Sequence, residues 1–281
     1  FFLIAIVGLL IYSNTFNVPF HFDDTPNIVE NYKLRDLNNS WPPSESRWFG
    51  YLTFVLNYHF GGLNTIGYHA VNLAIHIFNA ILVYWLVILT FKTPYFSSSN
   101  PPSPPFSKGG MGGFALFSAL LFVAHPIQTQ AVTYIVQRFT SLATMFYLLS
   151  LVMYIKFRIT PSLPLPPRGG GMGGGAVATR YTLYAISLIS AILAMKTKEI
   201  AFTLPFVIAL YEFMFFGNNQ FVIPVKMGIQ DKNEMDSCFR RNDGMEGGYK
   251  RLLYLIPFLL TLLIIPLSLI GIDKPIGDAI G

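Results

Sequence analysis

The sequence contains a single cysteine, Cys238, among 281 residues. An internal disulfide and any cysteine-based zinc site are therefore excluded. Charge is scarce as well. Charged residues make up 12% of the chain, about half of the roughly 25% usual in soluble domains, which excludes an ordinary soluble globule. Intrinsic disorder needs low hydrophobicity and high net charge. Here 53% of residues are hydrophobic and the net charge is +5, so disorder is excluded too. No 34-residue helical repeat is present. What remains is an apolar, aromatic-rich chain with a mean hydropathy of +0.50, the composition of a membrane protein.

The sequence opens at Phe1, inside the apolar run FFLIAIVGLLIY. That run is shorter than the ~20 residues needed to cross the hydrocarbon core. It reads as the second half of a first membrane helix, with the chain cut at both ends. Further apolar stretches occupy 66–91, 114–124, 141–157, 181–195, 200–216 and 252–272. In lipid each must be helical, because every backbone polar group has to be paired internally. The expectation is an all-α integral membrane protein of seven spans, a single transmembrane module covering 1–281. The stretches 181–195 and 200–216 are joined only by Lys196-Thr197-Lys198-Glu199.

With the loop after the first helix outside, the inner segments hold 12 of the 19 Lys and Arg, as the positive-inside rule favours. The +5 therefore reports topology before any nucleic-acid partner. Three inner segments, within 97–113, 161–179 and 218–249, read as flexible insertions. The first two share a Pro-Pro, basic, Met-Gly-Gly pattern (PPSPPFSKGGMGG and PSLPLPPRGGGMGGG). Such segments cannot bury a core, and all three look like translated bacterial repeat elements. They lack the Lys-Ser/Thr turn of a phosphate-cradling loop. Cys238 falls in the third.

The outer side carries the chemistry. Residues 13–65 form a long loop, and long loops are uncommon unless functional. It begins with Phe20-His21-Phe22-Asp23-Asp24. Paired carboxylates at a membrane surface are costly unless solvated, paired or used. They suit a general base that takes a proton from an attacking hydroxyl; alternatively, they cap a short helix near Pro26. RWFGYLTFVLNYHF (47–60) suits a helix lying on the outer surface. His69, Asn72 and His76 share one helical face, expected to make hydrogen bonds inside the bundle rather than to bind metal. Pro126, after His125, breaks the third span. Gln137-Arg138 precedes the fourth. Arg138 can pair bidentately with a phosphate, or form a salt bridge with Asp23 or Glu199. Lys196 and Lys198 can act as phosphate point charges or snorkel at the interface.

F-x-F-D-D after the first helix, Leu52-Thr53-Phe54 with Asn57-Tyr58, YHAVNLAIHIFNAILV, LLFVAHPIQTQAVTYIVQR and AMKTKEIAFTLPFVIALYE together resemble one group. It is the GT-C glycosyltransferases, specifically the transmembrane-and-tetratricopeptide-repeat protein O-mannosyltransferases and their bacterial relatives. The resemblance covers about 200 residues, everything but the three inner segments, with the tetratricopeptide repeats absent. It implies an inverting membrane glycosyltransferase that moves mannose or a similar hexose from a polyprenyl-phosphate donor to a protein or glycan hydroxyl. The reaction would take place on the outer face of a bacterial inner membrane, facing the periplasm. By resemblance the base maps to Asp23-Asp24, with Asp24 narrowly favoured. His125, Gln137, Arg138, Lys196, Lys198, Glu199 and His69 would line the donor phosphate and sugar site. No metal or other cofactor is indicated, and no nucleic-acid partner. The competing readings are a lipid-linked-sugar or anionic-solute transporter, which should show repeated halves and broken helices at the midplane, and a non-catalytic anchor for a missing repeat domain.

Overall fold

A computed structural model describes residues 1–40, 47–98, 110–160, 174–217 and 243–269. Helices dominate, and no strand occurs among the described residues. In chain order they are α1 (Phe2–Ile11), α2 (Trp48–Gly61), α3 (Thr65–Phe91), α4 (Pro94–Ser98), α5 (Gly110–Ala124), α6 (Thr129–Thr133), α7 (Arg138–Ile159), α8 (Gly174–Met195), α9 (Leu204–Phe216), α10 (Asp243–Thr261) and α11 (Ile264–Leu269). The chain is an all-α integral membrane protein.

Four helical stretches are long and apolar enough to span a bilayer: Thr65–Phe91, Ile135–Ile159, Ala178–Met195 and Glu199–Phe216. A fifth is bent by 50°, formed by Gly110–Ala124 with Pro126–Thr133. Phe2–Ile11 and Leu252–Leu267 are shorter apolar helices. The expected seven spans thus appear as four or five full crossings with two short helices. Parts of the three expected insertions prolong neighbouring helices. Gly110–Gly113 opens α5, and α8 and α10 begin at Gly174 and Asp243. Ser97 and Ser98 end α4, and the rest of the three, with Cys238, lies outside the described residues.

α3 is the central helix, packed against α1, α5 and α7, while α7 packs along α8. Asn64 caps α3 by accepting the Ile66 N–H at 3.0 Å. At ~1.5 Å per residue, the 27 residues of α3 exceed the ~30 Å core. An apolar cluster fills one half of the bundle, around Leu82, Leu151, Tyr154, Phe157, Leu204, Ile208 and Phe258. Within it Arg158 grips Glu212 bidentately at 2.6 and 2.8 Å, and Tyr154 donates to the same carboxylate at 3.0 Å. Enclosure of this kind compensates a charge that lipid would penalise.

The other half is stitched by a polar ladder on α3. His69, Asn72, His76 and Asn79 are all buried. Each points its nitrogen at a backbone carbonyl: Val18 at 2.9 Å, Ile135 at 3.2 Å, Val123 at 3.2 Å and Ser141 at 3.0 Å. A carbonyl only accepts, so Nε2 of both histidines carries the proton. The expected shared face is therefore a hydrogen-bonding face. It compensates the break after α5, where Pro126 has no N–H to give. The Ile127 N–H goes to His125 Nδ1 at 3.2 Å, and the Val123 carbonyl, left without that partner, takes His76.

Candidate functional site

The loop connecting α1 to α3 folds over the end of the bundle where α3, α7 and α9 begin and where α8 finishes. Successive tight turns carry it through Thr15–Asn17, Thr25–Val29, Tyr32–Arg35 and Leu37–Ser40. Ile28 and Leu34 are its buried anchors, packed with Phe54, Val55, Tyr68, Ile135 and Phe139. α2 then lies over the start of α7, as the aromatic segment 47–60 suggested. Gly50 meets the Phe139 ring so closely that a Cβ would overlap it, and the Phe49 N–H donates to the Lys196 carbonyl at 3.2 Å.

The two aspartates have opposite environments. Asp24 is 1% exposed. Its Oδ2 accepts the His21 N–H at 3.0 Å, and its Oδ1 accepts the Val136 N–H at 2.7 Å. It precedes the Thr25–Val29 turn, but its side chain makes no cap there, so the helix-capping alternative is replaced by a long-range clamp. Burial raises the Asp24 pKa. The two backbone donors and the nearby His21 and His69 oppose that shift without cancelling it.

Asp23 is exposed. Its N–H donates to the Tyr134 hydroxyl at 3.0 Å, and its carbonyl accepts from Asn27 Nδ2 at 2.8 Å. Between His21 and the aspartates, Phe22 takes φ of +45°. That left-handed conformation costs a residue with a Cβ about 1–2 kcal/mol, and local strain of this sort clusters at functional sites. The turn leaves the Phe22 ring 87% exposed beside Asp23.

Segment 134–140 leads from the carboxylates to the cations. Lys198 Nζ donates to Thr140 Oγ1 at 2.6 Å, and Thr140 donates to Gln137 Oε1 at 2.7 Å. Burial lowers the Lys198 pKa, helped by the Arg47 charge and opposed by Glu199. Glu199 is held bidentately by Arg47, at 3.1 and 3.3 Å, with both side chains about two-fifths exposed. Lys196 is half-buried in the same turn. Lys196, Lys198, Glu199 and Gln137 are thus neighbours, joined by Arg47 at the head of the surface helix.

Arg138 is placed differently from the open helix mouth envisaged for it. It is 0% exposed. Its Nε donates to Asn72 Oδ1 at 2.7 Å, Nη1 to Asn57 Oδ1 at 2.6 Å and to the Thr53 carbonyl at 3.3 Å, and Nη2 to the Tyr68 carbonyl at 2.9 Å. Its guanidinium lies over the Phe54 ring at 4.4 Å. Neutral oxygens take the place of the expected Asp23 or Glu199 partner, and the guanidinium holds α2 to α3 and α7. His125, exposed at the α5 break, and His69, buried against Val18, stand apart from the Lys198 cluster. Among the described residues, no group of three or more His, Cys, Asp or Glu is placed to hold a metal ion. Sequence reasoning missed Tyr134, Thr140 and the Asn57–Asn72 cage. Asn72 was legible as part of a hydrogen-bonding face and Asn57 as part of a motif, but nothing in the sequence paired them with Arg138.

No family model matches the chain, and no solved structure matches it. Among curated proteins, similarity is found to a mouse protein O-mannosyl-transferase, TMTC4, with 24% identity over 86% of this chain and 33% of that protein. The human protein O-mannosyl-transferase TMTC2 is 32% identical over 61% of this chain and 20% of its own length. The fruit-fly protein O-mannosyl-transferase Tmtc3 is 30% identical over 56% and 19%. The chain spans at most about a third of the length of these relatives. By sequence, over most of its length, the chain resembles the TMTC protein O-mannosyl-transferases.

Proposed function

We propose that this chain forms the membrane-embedded catalytic part of a glycosyltransferase that moves mannose, or a similar hexose, from a polyprenyl-phosphate donor to a hydroxyl of a protein. The observation that carries this reading is the continuous strip from an exposed carboxylate, Asp23, through Tyr134 and Gln137 to Lys198. A base stands at one end and a cation at the other, at one end of a membrane bundle. The names of the relatives supply the reaction class.

In this reading Asp23 accepts the proton of the attacking hydroxyl. The acceptor oxygen bonds to the sugar C1, the C1–O bond to phosphate breaks, and the bonding pair leaves with the phosphate, inverting the anomeric centre. Lys198, Lys196 and Arg47 offset the charge gathering on that phosphate, without a metal or other cofactor. The burial of Asp24, with both oxygens occupied, moves our choice of base from Asp24 to Asp23. Asp24 becomes the residue that positions it. The distribution of Lys and Arg supports an outward-facing site, toward the periplasm if the membrane is a bacterial inner membrane. The test is transfer of labelled mannose from a polyprenyl-phosphate donor to a hydroxyl-bearing peptide by the full-length protein in membrane vesicles. Transfer is expected. Movement of labelled donor across the bilayer with no transfer product would replace this reading with transport.

A further inference from the structure

A cleft of about 280 Å³ lies between the end of α1 and α6, just below the ~300–1,000 Å³ typical of ligand sites. Tyr12, Asn14, Thr15, Thr129 and Thr133 line it, with Val18 and Ile11. The Tyr12 hydroxyl pairs with Thr129. Thr15 Oγ1 and Thr133 Oγ1 stand 3.4 Å apart. Among the described residues, every polar group lining this cleft is neutral, a hydroxyl or an amide. Such a surface accepts and donates single hydrogen bonds, and it leaves a buried charge unpaired.

Its position on the strip carries the argument. Thr129 and Thr133 belong to α6, and the next residue, Tyr134, touches Asp23. Val136 holds Asp24, and Thr140 holds Lys198. Along residues 129–140, the order of contacts is neutral cleft, base, cation. An inverting displacement needs nucleophile and leaving group on opposite sides of C1. If the cations take the leaving phosphate, the hydroxyl nucleophile must approach from the side of the base away from them, and along segment 129–140 the cleft residues Thr129 and Thr133 come on that side of the Asp23 contact.

We infer that the cleft beside Thr15, Thr129 and Thr133 is the acceptor subsite, and that it takes an uncharged peptide segment next to the hydroxyl residue to be glycosylated. This rests on the reading of the chain as a lipid-phosphate-dependent glycosyltransferase. It adds a selectivity: peptides with Asp, Glu, Lys or Arg flanking the acceptor Ser or Thr are poor substrates, because the cleft offers their charges no partner.

The test uses the full-length protein in membrane vesicles, with mannosyl-phosphate polyprenol and synthetic Ser or Thr peptides. Thr129→Val and Thr133→Val keep the shape and remove a hydroxyl. Each is expected to raise the KM for a neutral peptide about tenfold and leave the KM for the donor lipid in place, with Thr133→Ser restoring the peptide KM. Asp- or Lys-flanked peptides should show kcat/KM at least tenfold lower in the parent protein. A thermal melt within 2–3 degrees of the parent separates lost contact from lost fold, and a variant that melts early is replaced by its Ser counterpart. The inference is overturned if the donor KM rises instead, which would make the cleft a sugar site, or if peptide KM and flanking-charge preference stay unchanged while transfer proceeds. Absence of transfer by the parent protein from any polyprenyl-phosphate sugar would instead overturn the underlying reading, and the inference with it.

Discussion

Asp24 Oδ1 accepts the Val136 N–H at 2.7 Å, across 112 residues of chain. In an unbroken helix that N–H would go to the Val132 carbonyl four residues earlier. Asn72 Nδ2 reaches the Val132 carbonyl at 3.4 Å and the Ile135 carbonyl at 3.2 Å. Asp24 and Asn72 therefore take the donor and the acceptor of one interrupted helical bond. The interruption lets Tyr134 turn toward Asp23.

Asp24→Ala removes the acceptor for two backbone N–H groups. Leaving the buried Val136 donor unpaired costs about 1–3 kcal/mol, and the part-buried His21 donor adds less, so a clear drop in melting temperature is expected in detergent, with loss of activity following loss of structure. Asp24 should also give stability a pH dependence. Its folded pKa is raised above 3.8, so the folded state holds a proton that the unfolded state has already released. Stability is then highest below the unfolded pKa and declines as pH rises through the folded one. Melting curves from pH 4 to pH 7 should show that decline in the parent and a flatter profile in Asp24→Asn. Equal slopes would refute it.

Arg138→Ala would strip partners from Asn57, Asn72 and two carbonyls at once. The expected cost is about 3 kcal/mol or more, enough to impair folding in the membrane. Arg138→Lys keeps the charge but not the fork and should recover only part of the loss. A lysine variant as stable as the parent, measured by thermal unfolding, would argue against the cage.

Lys198→Met is expected to raise the KM for a lipid-phosphate donor about tenfold or more, while Lys198→Arg retains most of the affinity. Because burial lowers the Lys198 pKa, the ammonium is lost at a lower pH than in an ordinary lysine. Activity should therefore decline on the alkaline side below pH 10.5, and the arginine variant should move that limb upward. A limb that stays in place in Lys198→Arg would remove Lys198 from the phosphate site.

Gly50→Ala should displace α2, since its Cβ would overlap the Phe139 ring. Overpacking of this kind costs about 1–3 kcal/mol. Gly50→Ala with Phe139→Leu should recover part of that loss, which a double-mutant melt would show.

Much of this was legible in the sequence, in unequal measure. The spans followed from apolar length. The break at Pro126, the 196–199 hairpin and the face shared by His69, Asn72 and His76 followed from residue type and spacing. The difference between Asp23 and Asp24 could not be read, because adjacent residues have the same chemistry and the partners that separate them include the distant Val136 and Tyr134. Arg138 misled for a related reason. An arginine at a helix start suits a phosphate, and its enclosure depends on Asn57 and Asn72, 81 and 66 residues away. The Arg47–Glu199 pair, spanning 152 residues, was hidden in the same way.

The assignment of Asp23 as the proton acceptor is tested most directly by measuring transfer of mannose from a polyprenyl-phosphate donor by full-length Asp23→Asn. The carboxylate is exposed, and its side chain meets the Tyr134 hydroxyl, a contact that asparagine can keep, so the variant should insert and melt like the parent, while kcat falls by about 10²–10⁴. Transfer within a fewfold of the parent, by a properly folded Asp23→Asn protein, would contradict the account.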